Sequence, residues 1–195
     1  MRAAITMNIT DILILGRGGQ GGVTAARILV SAAMKEGKWG QAMPEFGAER
    51  RGAVVRSYAR IGMEPVMLHS AIKRADIIMM LTHTILNQVD VMGMAKSRST
   101  KLIINSPAPI KTELPTYWVN ANQIAEDLGL VIAGWHVVNT SMLGALSKAT
   151  GLVKLDSILD SLGEFIRGSV LKQNIEAVRR AFNETEIATE TEVIA

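Results

Sequence analysis

The sequence predicts an α/β fold built around a mostly parallel sheet. Three short apolar runs, at residues 9–15, 76–81 and 101–105, have the composition of buried strands. Residues 23–36 carry alanine and leucine at helical spacing, directly after a glycine-rich turn. Of the 195 residues, 48% are apolar and only 4% are aromatic. The core is therefore aliphatic, as in parallel sheets covered by helices.

The chain opens with a predicted strand–turn–helix unit. The strand at 9–15 leads into the glycines of residues 16–22, and the helix at 23–36 stops before Gly37, where a left-handed cap is expected. A strand, a glycine turn and a helix in this order begin a βαβ unit. The prediction is therefore a Rossmann-like fold.

Two further strands are predicted after this unit. The first covers residues 38–43. Strict alternation of side chains indicates another at 53–61, and the turn at 62–65 predicts that residues 66–68 pair back on it. We therefore expect a mostly parallel sheet with an antiparallel hairpin.

The rest of the chain alternates short strands with helices and ends in a helical part. Asn139 and Thr140 are expected to cap one of these helices, Gly151 to end it and Asp156 to cap the next. The predicted strands are 76–81, 101–105 and 117–120, and the predicted helices are 85–94, 122–128, 139–149 and most of 155–183.

Length and composition exclude several classes of protein. The length fits a single Rossmann-like domain at residues 1–185, with a frayed tail at residues 186–195. The absence of cysteine excludes a disulfide framework, a thiolate zinc site and a cysteine-ligated iron–sulfur cluster held by this chain. Three histidines are too few to favour a histidine-rich metal site. No apolar run reaches the roughly 18 residues that span a bilayer, so we expect a cytoplasmic protein that does not bind membranes.

Charge is uneven along the chain, although the net charge is only +3. The first hundred residues contain thirteen basic and seven acidic residues, whereas the remainder contains eight basic and eleven acidic residues. A basic half suits a phosphorylated ligand or an acidic partner, and ordinary uneven surface charge explains it equally well. The excess is too small to predict nucleic-acid binding.

The glycine-rich turn is the first candidate binding site. Residues 16–21 match the G-x-G-x-x-G pattern and lie between a predicted strand and a predicted helix. Glycine allows a tight turn and a close approach to phosphate, and the following helix offers free N–H groups and a positive dipole end. The candidate cofactor-binding or partner-facing residues are Gly16, Gly18, Gly19, Gln20, Gly21 and Thr24.

Three interpretations of this turn stay open. A dinucleotide site requires an acidic residue at the end of the second strand to hold the ribose, and residues 38–43 contain none. This disfavours NAD(P). The turn could instead serve only strand–helix packing, or it could bind a different phosphorylated cofactor, alone or with a partner subunit.

The loop at residues 44–52 is the second candidate site. Glu45 and Glu49 precede the adjacent Arg50 and Arg51. Paired arginines can clamp a carboxylate or phosphate, or form ion pairs across a subunit interface, or belong to an ordinary solvated loop. Because the loop follows the second strand, we expect it at the same sheet edge as the glycine turn. His83 and His136 are weaker candidates, and no set of residues in the sequence has the spacing of a catalytic constellation.

Four stretches resemble one family when they are taken together and in order. Residues 16–26 (GRGGQGGVTAA), 43–53 (MPEFGAERRGA), 138–146 (VNTSMLGAL) and 148–153 (KATGLV) are similar to the gamma subunit of 2-oxoacid:ferredoxin oxidoreductases. The second stretch has the form associated with the pyruvate and branched-chain enzymes. The resemblance runs across roughly residues 10 to 185.

The resemblance implies a role within a larger enzyme. Such enzymes convert a 2-oxoacid and CoA to acyl-CoA and CO2 and reduce ferredoxin. They hold thiamine diphosphate with Mg²⁺ between alpha and beta subunits, and a ferredoxin-like delta subunit carries iron–sulfur clusters. The resemblance to the gamma subunit implies that this chain has no catalytic residue and binds no cofactor by itself. Its glycine turn, the loop with Arg50 and Arg51, and Asn139 with Thr140 would face CoA or partner subunits, and the isolated chain would self-associate.

One alternative from a different class stays open. The glycine turn is also compatible with a stand-alone nucleotide-binding domain, such as an NAD(P)-dependent dehydrogenase or a ligand-sensing module. That class requires the ribose-binding acidic residue that residues 38–43 do not supply.

Overall fold

A computed structural model describes residues 9–44, 53–66 and 70–188. Among these residues a seven-stranded sheet is covered by helices, and a small two-stranded hairpin stands apart from it. The strands of the large sheet are β1 (Ile9–Arg17), β2 (Trp39–Pro44), β3 (Val54–Gly62), β4 (Ile77–Met80), β5 (Lys101–Asn105), β6 (Thr116–Val119) and β9 (Glu186–Ile187). The hairpin consists of β7 (Val131–Ile132) and β8 (Trp135–His136). The helices are α1 (Gly22–Lys35), α2 (Val91–Met94), α3 (Ala121–Asp127), α4 (Asn139–Thr150), α5 (Leu155–Phe165) and α6 (Val170–Glu184), with a 3-10 helix at His83–Gln88.

The sheet has the order β2-β3-β1-β4-β5-β6-β9. Strands β1, β4, β5 and β6 are parallel neighbours, and β2 runs in the same direction because it is antiparallel to β3, which is antiparallel to β1. Strand β9 is antiparallel to β6. The prediction of an α/β fold with a mostly parallel sheet and a helical C-terminal part is confirmed.

The antiparallel hairpin is formed by different strands from those predicted. Strand β3 pairs with β2 on one edge and with β1 on the other. Both edges of β3 are therefore occupied, so the predicted pairing of residues 66–68 with this strand is wrong. Val66 has no regular structure, and residues 67–68 lie outside the described residues.

The core follows from the alternation of side chains along β1. Ile12 and Ile14 face a large cluster formed with α1, α3, α4, α5 and α6, whereas Leu13 and Leu15 face a smaller cluster on the other side. Helix α4 lies so close to α6 that a Cβ atom on Gly144 would overlap the Val178 carbonyl oxygen. The helices thus pack mainly against one face of the sheet.

Several helix boundaries differ from the sequence prediction. The predicted helix at 85–94 is interrupted because Val89 is extended. The Asp90 side chain then accepts a 2.8 Å hydrogen bond from the Gly93 N–H group and begins α2. The helix at 155–165 begins after Lys154, so Asp156 lies in its first turn and is not its cap.

The start of α4 also differs, although its end is as predicted. Val138 is the N-cap, without a capping side chain, and Asn139 and Thr140 are the first helical residues. Gly151 ends the helix in the left-handed conformation, with a φ of 63°. The expected capping role of Asn139 and Thr140 is therefore wrong, and their side chains make other contacts.

The predicted frayed tail is wrong at its beginning. Residues Glu186–Ile187 form the edge strand β9, and the Ala188 N–H group donates a 2.8 Å hydrogen bond to the Thr116 carbonyl. Residues 189–195 lie outside the described part of the chain. No helix in the described part of the chain combines the length and hydropathy needed to cross a membrane.

Candidate functional site

The glycine turn connects β1 to α1 at the carboxyl edge of the parallel strands. Gly19 and Gly21 have φ angles of 94° and 77°, which other residues rarely adopt. The Arg17 N–H group donates to Gln20 Oε1 at 2.7 Å, and the Gln20 N–H group donates to the Arg17 carbonyl at 3.1 Å. These two hydrogen bonds close the turn and fix the position of the Gln20 side chain.

Helix α1 begins with unsatisfied backbone donors. Gly21 is its N-cap and supplies no side chain, and the first turn contains no acidic residue. The first intrahelical hydrogen bond is donated by Ala25 to the Gly21 carbonyl, so the N–H groups of residues 22–24 have no helical acceptor. This arrangement favours an anion at the start of the helix.

A cavity of about 370 Å³ lies against this turn. It is lined by the turn, by the end of the β7–β8 hairpin and by the start of α4; the lining residues are Gly18, Gly19, Gln20, Gly21, Ile132, Trp135, His136, Val137 and Asn139. Among the described residues, no aspartate, glutamate, lysine or arginine belongs to this lining. It can hold a ligand through backbone and amide groups.

Asn139 joins the start of α4 to the glycine turn. Its Nδ2 atom donates a 3.2 Å hydrogen bond to the Gly21 carbonyl. The residue is 7% exposed, and its Oδ1 atom is buried with no hydrogen-bond partner in the described structure. A buried carbonyl oxygen without a partner costs about 1–3 kcal/mol, so a functional explanation is expected.

The β7–β8 hairpin forms the outer wall of the cavity. Its two central residues, Ala133 and Gly134, both have positive φ angles, as a type I′ turn requires. Val131, Ile132 and Trp135 are exposed, and Ile132 is 68% exposed. His136 Nε2 lies 2.7 Å from Glu126 Oε1 and ties the hairpin to α3. Ala-Gly is not among the dipeptides typical of two-residue hairpins, so the sequence carried no clear signal for this hairpin.

The structure brings together only part of the predicted site. Gly18, Gly19, Gln20, Gly21 and Asn139 line one cavity. Gly16, Thr24 and Thr140 do not. The sequence analysis missed Ile132 and Trp135 of the hairpin and Val137 directly after it. It gave His136 only as a weaker candidate.

The three predicted residues outside the cavity have structural surroundings. Gly16 is part of β1, where a Cβ atom would lie 3.0 Å from the Leu81 side chain. Thr24 lies in the first turn of α1. Thr140 is fully buried, and its Oγ1 atom donates to Asn174 Oδ1 at 2.7 Å, which links α4 to α6.

The second predicted loop starts and ends at the same edge as the glycine turn. β2 ends at Pro44, and the carbonyl of Ala53, just before β3, accepts a 3.1 Å hydrogen bond from the Gly18 N–H group. Glu45, Glu49, Arg50 and Arg51 lie outside the described residues. Their expected role as an anion clamp stays a prediction.

Metal-binding and titrating groups do not gather at this cavity. Among residues 9–44, 53–66 and 70–188, no group of three or more His, Asp or Glu side chains is arranged to hold a metal ion. The resolved pKa shifts belong to groups outside the lining. For example, hydrogen bonds from Gln123 and Arg180 lower the pKa of Asp127 at the end of α3.

Known proteins match this chain over nearly its whole length. The sequence model described as pyruvate ferredoxin/flavodoxin oxidoreductase matches residues 11–184. The chain is 40% identical to the "Pyruvate/ketoisovalerate oxidoreductases common subunit gamma" of Thermococcus kodakarensis, over 90% of this chain and 96% of that protein. It is 38% identical to "Pyruvate synthase subunit PorC" of Methanothermobacter thermautotrophicus, again over 90% and 96% of the two chains.

A solved structure agrees with these sequence relatives. The crystal structure of pyruvate oxidoreductase subunit PORC from Thermotoga maritima superposes with a TM-score of 0.75 at 27% identity, covering 93% of this chain and 99% of that one. The resemblance found in the glycine-rich and later stretches is thereby confirmed. The chain belongs to the pyruvate ferredoxin/flavodoxin oxidoreductase family.

Proposed function

We propose that this chain is the gamma subunit of a thiamine-dependent pyruvate or branched-chain 2-oxoacid:ferredoxin oxidoreductase. The observation that carries the proposal is the end-to-end match to relatives named as gamma or PorC subunits, which covers 96% of their length. The enzyme would convert a 2-oxoacid and CoA to acyl-CoA and CO2 and transfer two electrons to ferredoxin. This chain would work only as part of that assembly.

The composition of this chain supports a division of labour between subunits. With no cysteine, it has no thiolate ligands for an iron–sulfur cluster. Electron transfer to ferredoxin would then belong to a ferredoxin-like delta subunit, and thiamine diphosphate with Mg²⁺ would belong to alpha and beta subunits. The gamma chain would contribute binding surface and enclosure.

The glycine cavity fits a phosphate-bearing cofactor such as CoA. The cavity lining ends at Gly21, directly before the N–H groups of residues 22–24. These groups have no helical acceptor, and backbone donors of this kind bind phosphate oxygens at helix N-termini. Asn139 adds a buried amide at the same place. We place CoA, or a partner segment that closes over CoA, against Gly18 to Gly21 and Asn139. Glu45, Glu49, Arg50 and Arg51 would join them from the neighbouring loop.

The rim of this cavity supports a contact with another subunit. Val131, Ile132 and Trp135 expose apolar side chains on the hairpin that forms its wall. Exposed apolar groups clustered beside a binding site are typical of protein interfaces. The hairpin would be covered when the alpha and beta subunits assemble with this chain.

Reconstitution with and without this chain tests the proposal. The chain is mixed with purified alpha, beta and delta subunits, and CoA-dependent ferredoxin reduction is measured with pyruvate and with 2-oxoisovalerate. We expect the rate to fall at least about tenfold when this chain is omitted, because the enclosed site is then incomplete. The two substrates show which 2-oxoacid the enzyme prefers. An unchanged rate without the chain would contradict the proposal.

The same preparation distinguishes the stand-alone alternative. A nucleotide-binding domain that acts alone would bind NAD(P) with micromolar affinity in the absence of any partner. We expect no such binding, because β2 ends in Met43 and Pro44 where a ribose-binding acidic residue would be needed. Calorimetric titration of the isolated chain with NAD⁺ and NADP⁺ measures this directly.

A further inference from the structure

A second, smaller cavity lies beside the glycine cavity at the carboxyl edge of the sheet. Its volume is about 230 Å³, and it is bounded by the end of β1, the segment after β4 and the start of α3. Strand β1 lies between β3 and β4, so the chain leaves β1 toward one side of the sheet and returns on the other. Open α/β sheets bind ligands at such a switch point. Gln20, Trp135 and His136 line both cavities.

The side chain of Gln20 offers this cavity a donor. Its Oε1 atom accepts a 2.7 Å hydrogen bond from the Arg17 backbone N–H group. Because a backbone N–H group can only donate, this contact fixes the amide orientation. The carbonyl end of the amide is therefore occupied, and the NH2 end has no acceptor among the described residues.

The orientation of the Asn122 side-chain amide is fixed in the same way, through the neighbouring Asn105. The Ala121 N–H group donates to Asn105 Oδ1 at 3.0 Å, which fixes the amide of the buried Asn105. Asn105 Nδ2 then donates to Asn122 Oδ1, also at 3.0 Å. Asn122 uses its oxygen in this contact and keeps its NH2 group as a donor in the cavity lining.

Arg17 and two threonines complete a donor-rich lining. Arg17 Nη2 donates to Thr84 Oγ1 at 3.3 Å, and the Thr82 and Thr84 hydroxyls lie 3.1 Å apart. The guanidinium brings a full positive charge, and no aspartate or glutamate belongs to the described lining. His136 also lines the cavity, and its Nε2 atom donates a 2.7 Å hydrogen bond to the Glu126 carboxylate.

We propose that this second cavity, which shares Gln20 with the glycine cavity, is an oxyanion-binding site that takes a carboxylate or phosphate group. The guanidinium of Arg17, the NH2 groups of Gln20 and Asn122 and the Thr84 hydroxyl would hold the anion. Charged donors and amide N–H groups are the groups that recognise carboxylate and phosphate oxygens. The proposal does not depend on the assembly described above, because it concerns only groups that this chain itself supplies.

Titration of the isolated full-length chain tests this site. Inorganic phosphate and pyruvate are added separately, and the side-chain NH2 resonances of Gln20 and Asn122 are followed by NMR. The decisive variant is Asn122→Asp, which keeps the oxygen that Asn105 bonds and replaces the NH2 donor with a negatively charged oxygen. Asn183→Asp on the exposed side of α6 is the control, since it makes the same change of charge away from the cavity.

We expect saturable shifts of both NH2 resonances and a dissociation constant raised at least about tenfold by Asn122→Asp but not by Asn183→Asp. Shifts with phosphate alone identify a phosphate site, and shifts with pyruvate alone identify a carboxylate site. The proposal is overturned if neither anion shifts these resonances at about 50 mM, or if Asn122→Asp binds as tightly as the unaltered chain. If Asn122→Asp does not fold, Arg17→Gln gives the same decision through loss of the guanidinium charge.

Discussion

The two edges of the parallel sheet differ in how their polar groups are satisfied. At the amino edge, charged groups pair with one another: Arg60 Nε lies 2.9 Å from Asp11 Oδ1, and Lys96 Nζ lies 3.0 Å from Asp76 Oδ2. Helix α1 ends at the same edge, where Glu36 bonds the Lys38 ammonium at 2.8 Å. These contacts lie within the fold and need no ligand.

At the carboxyl edge the polar groups keep donors that no described residue accepts. These include the first N–H groups of α1 and the NH2 groups of Gln20 and Asn122. Asn139 also has a buried side-chain oxygen with no hydrogen-bond partner among the described residues. The difference indicates that the amino edge stabilises the fold, whereas the carboxyl edge is arranged to bind something outside it.

The largest expected effect is on stability and comes from the amino edge. Arg60 is almost completely buried, and Arg60→Ala would leave Asp11 without its main partner. Removing one member of a buried ion pair costs about 3–5 kcal/mol of unfolding free energy, which urea denaturation measures. We expect anion binding at the carboxyl edge to be unchanged.

The matched control for this prediction is Arg98→Ala. Arg98 lies 3.8 Å from Glu113, but both side chains are largely exposed, so we expect a loss of less than about 0.5 kcal/mol. If Arg60→Ala were no more destabilising than Arg98→Ala, the amino edge would not be a stabilising network.

The second prediction concerns the carboxyl edge and separates crowding from backbone strain. Gly19 and Gly21 both have positive φ angles. A Cβ atom at Gly21 would lie 2.6 Å from Asn139 Nδ2, whereas one at Gly19 would meet no atom of the described residues within 4 Å. We expect Gly21→Ala to cost about 2–4 kcal/mol and Gly19→Ala about 1–2 kcal/mol, the latter from strain alone. Gly21→Ala should also lower the CoA-dependent rate of the reconstituted complex.

Thermal and urea unfolding of the two variants measures this difference. Equal costs would show that Asn139 yields easily and that its contact with Gly21 does not hold the turn. Within the described part of the chain, a side chain would therefore be crowded at Gly21 but not at Gly19.

Local patterns in the sequence predicted most of the fold. The strand at Lys101–Asn105 was predicted with its observed bounds, and helix α1 with bounds one residue from those observed, because apolar runs and helical spacing are local signals. The pairing partners of β3 were not predictable in this way, because pairing is decided by tertiary contacts with β1 and β2. The short edge strand β9 was missed for the same reason, since its pairing with β6 determines its structure.

The candidate site was predictable only where a motif marks it. The glycine pattern marked Gly18 to Gly21 and the resemblance marked Asn139, whereas their meeting in one cavity is known only from the structure. The NH2 donors of Gln20 and Asn122 could not be inferred from the sequence. Their availability depends on whether the oxygen of each amide already accepts a hydrogen bond within the fold. Thr140, adjacent to Asn139 in sequence, points to a buried contact with Asn174 because successive helical residues face different directions.

The smallest expected effect tests the amino edge through pH. Burial is the largest single effect on the pKa of Glu36 and raises it, but the hydrogen bond and charge of the Lys38 ammonium, together with two further hydrogen bonds, outweigh burial. The Lys154 N–H group and the Ser157 hydroxyl also donate to this carboxylate, and its pKa is lowered from the usual value of 4.5.

A carboxylate with a lowered pKa stabilises the folded state above its usual pKa, and that contribution is lost as the pH falls through the lowered value. We therefore expect Glu36→Gln to cost about 1–2 kcal/mol at pH 7 and progressively less below pH 4.5, which urea denaturation at several pH values measures. The exposed Glu113→Gln is the control, because it removes the same charge from a surface ion pair and should cost less than about 0.5 kcal/mol at pH 7. A cost for Glu36→Gln that stayed constant from pH 7 to pH 3 would mean that the side chain acts through its shape and packing. Paired charges would then stabilise the amino edge less than its geometry indicates.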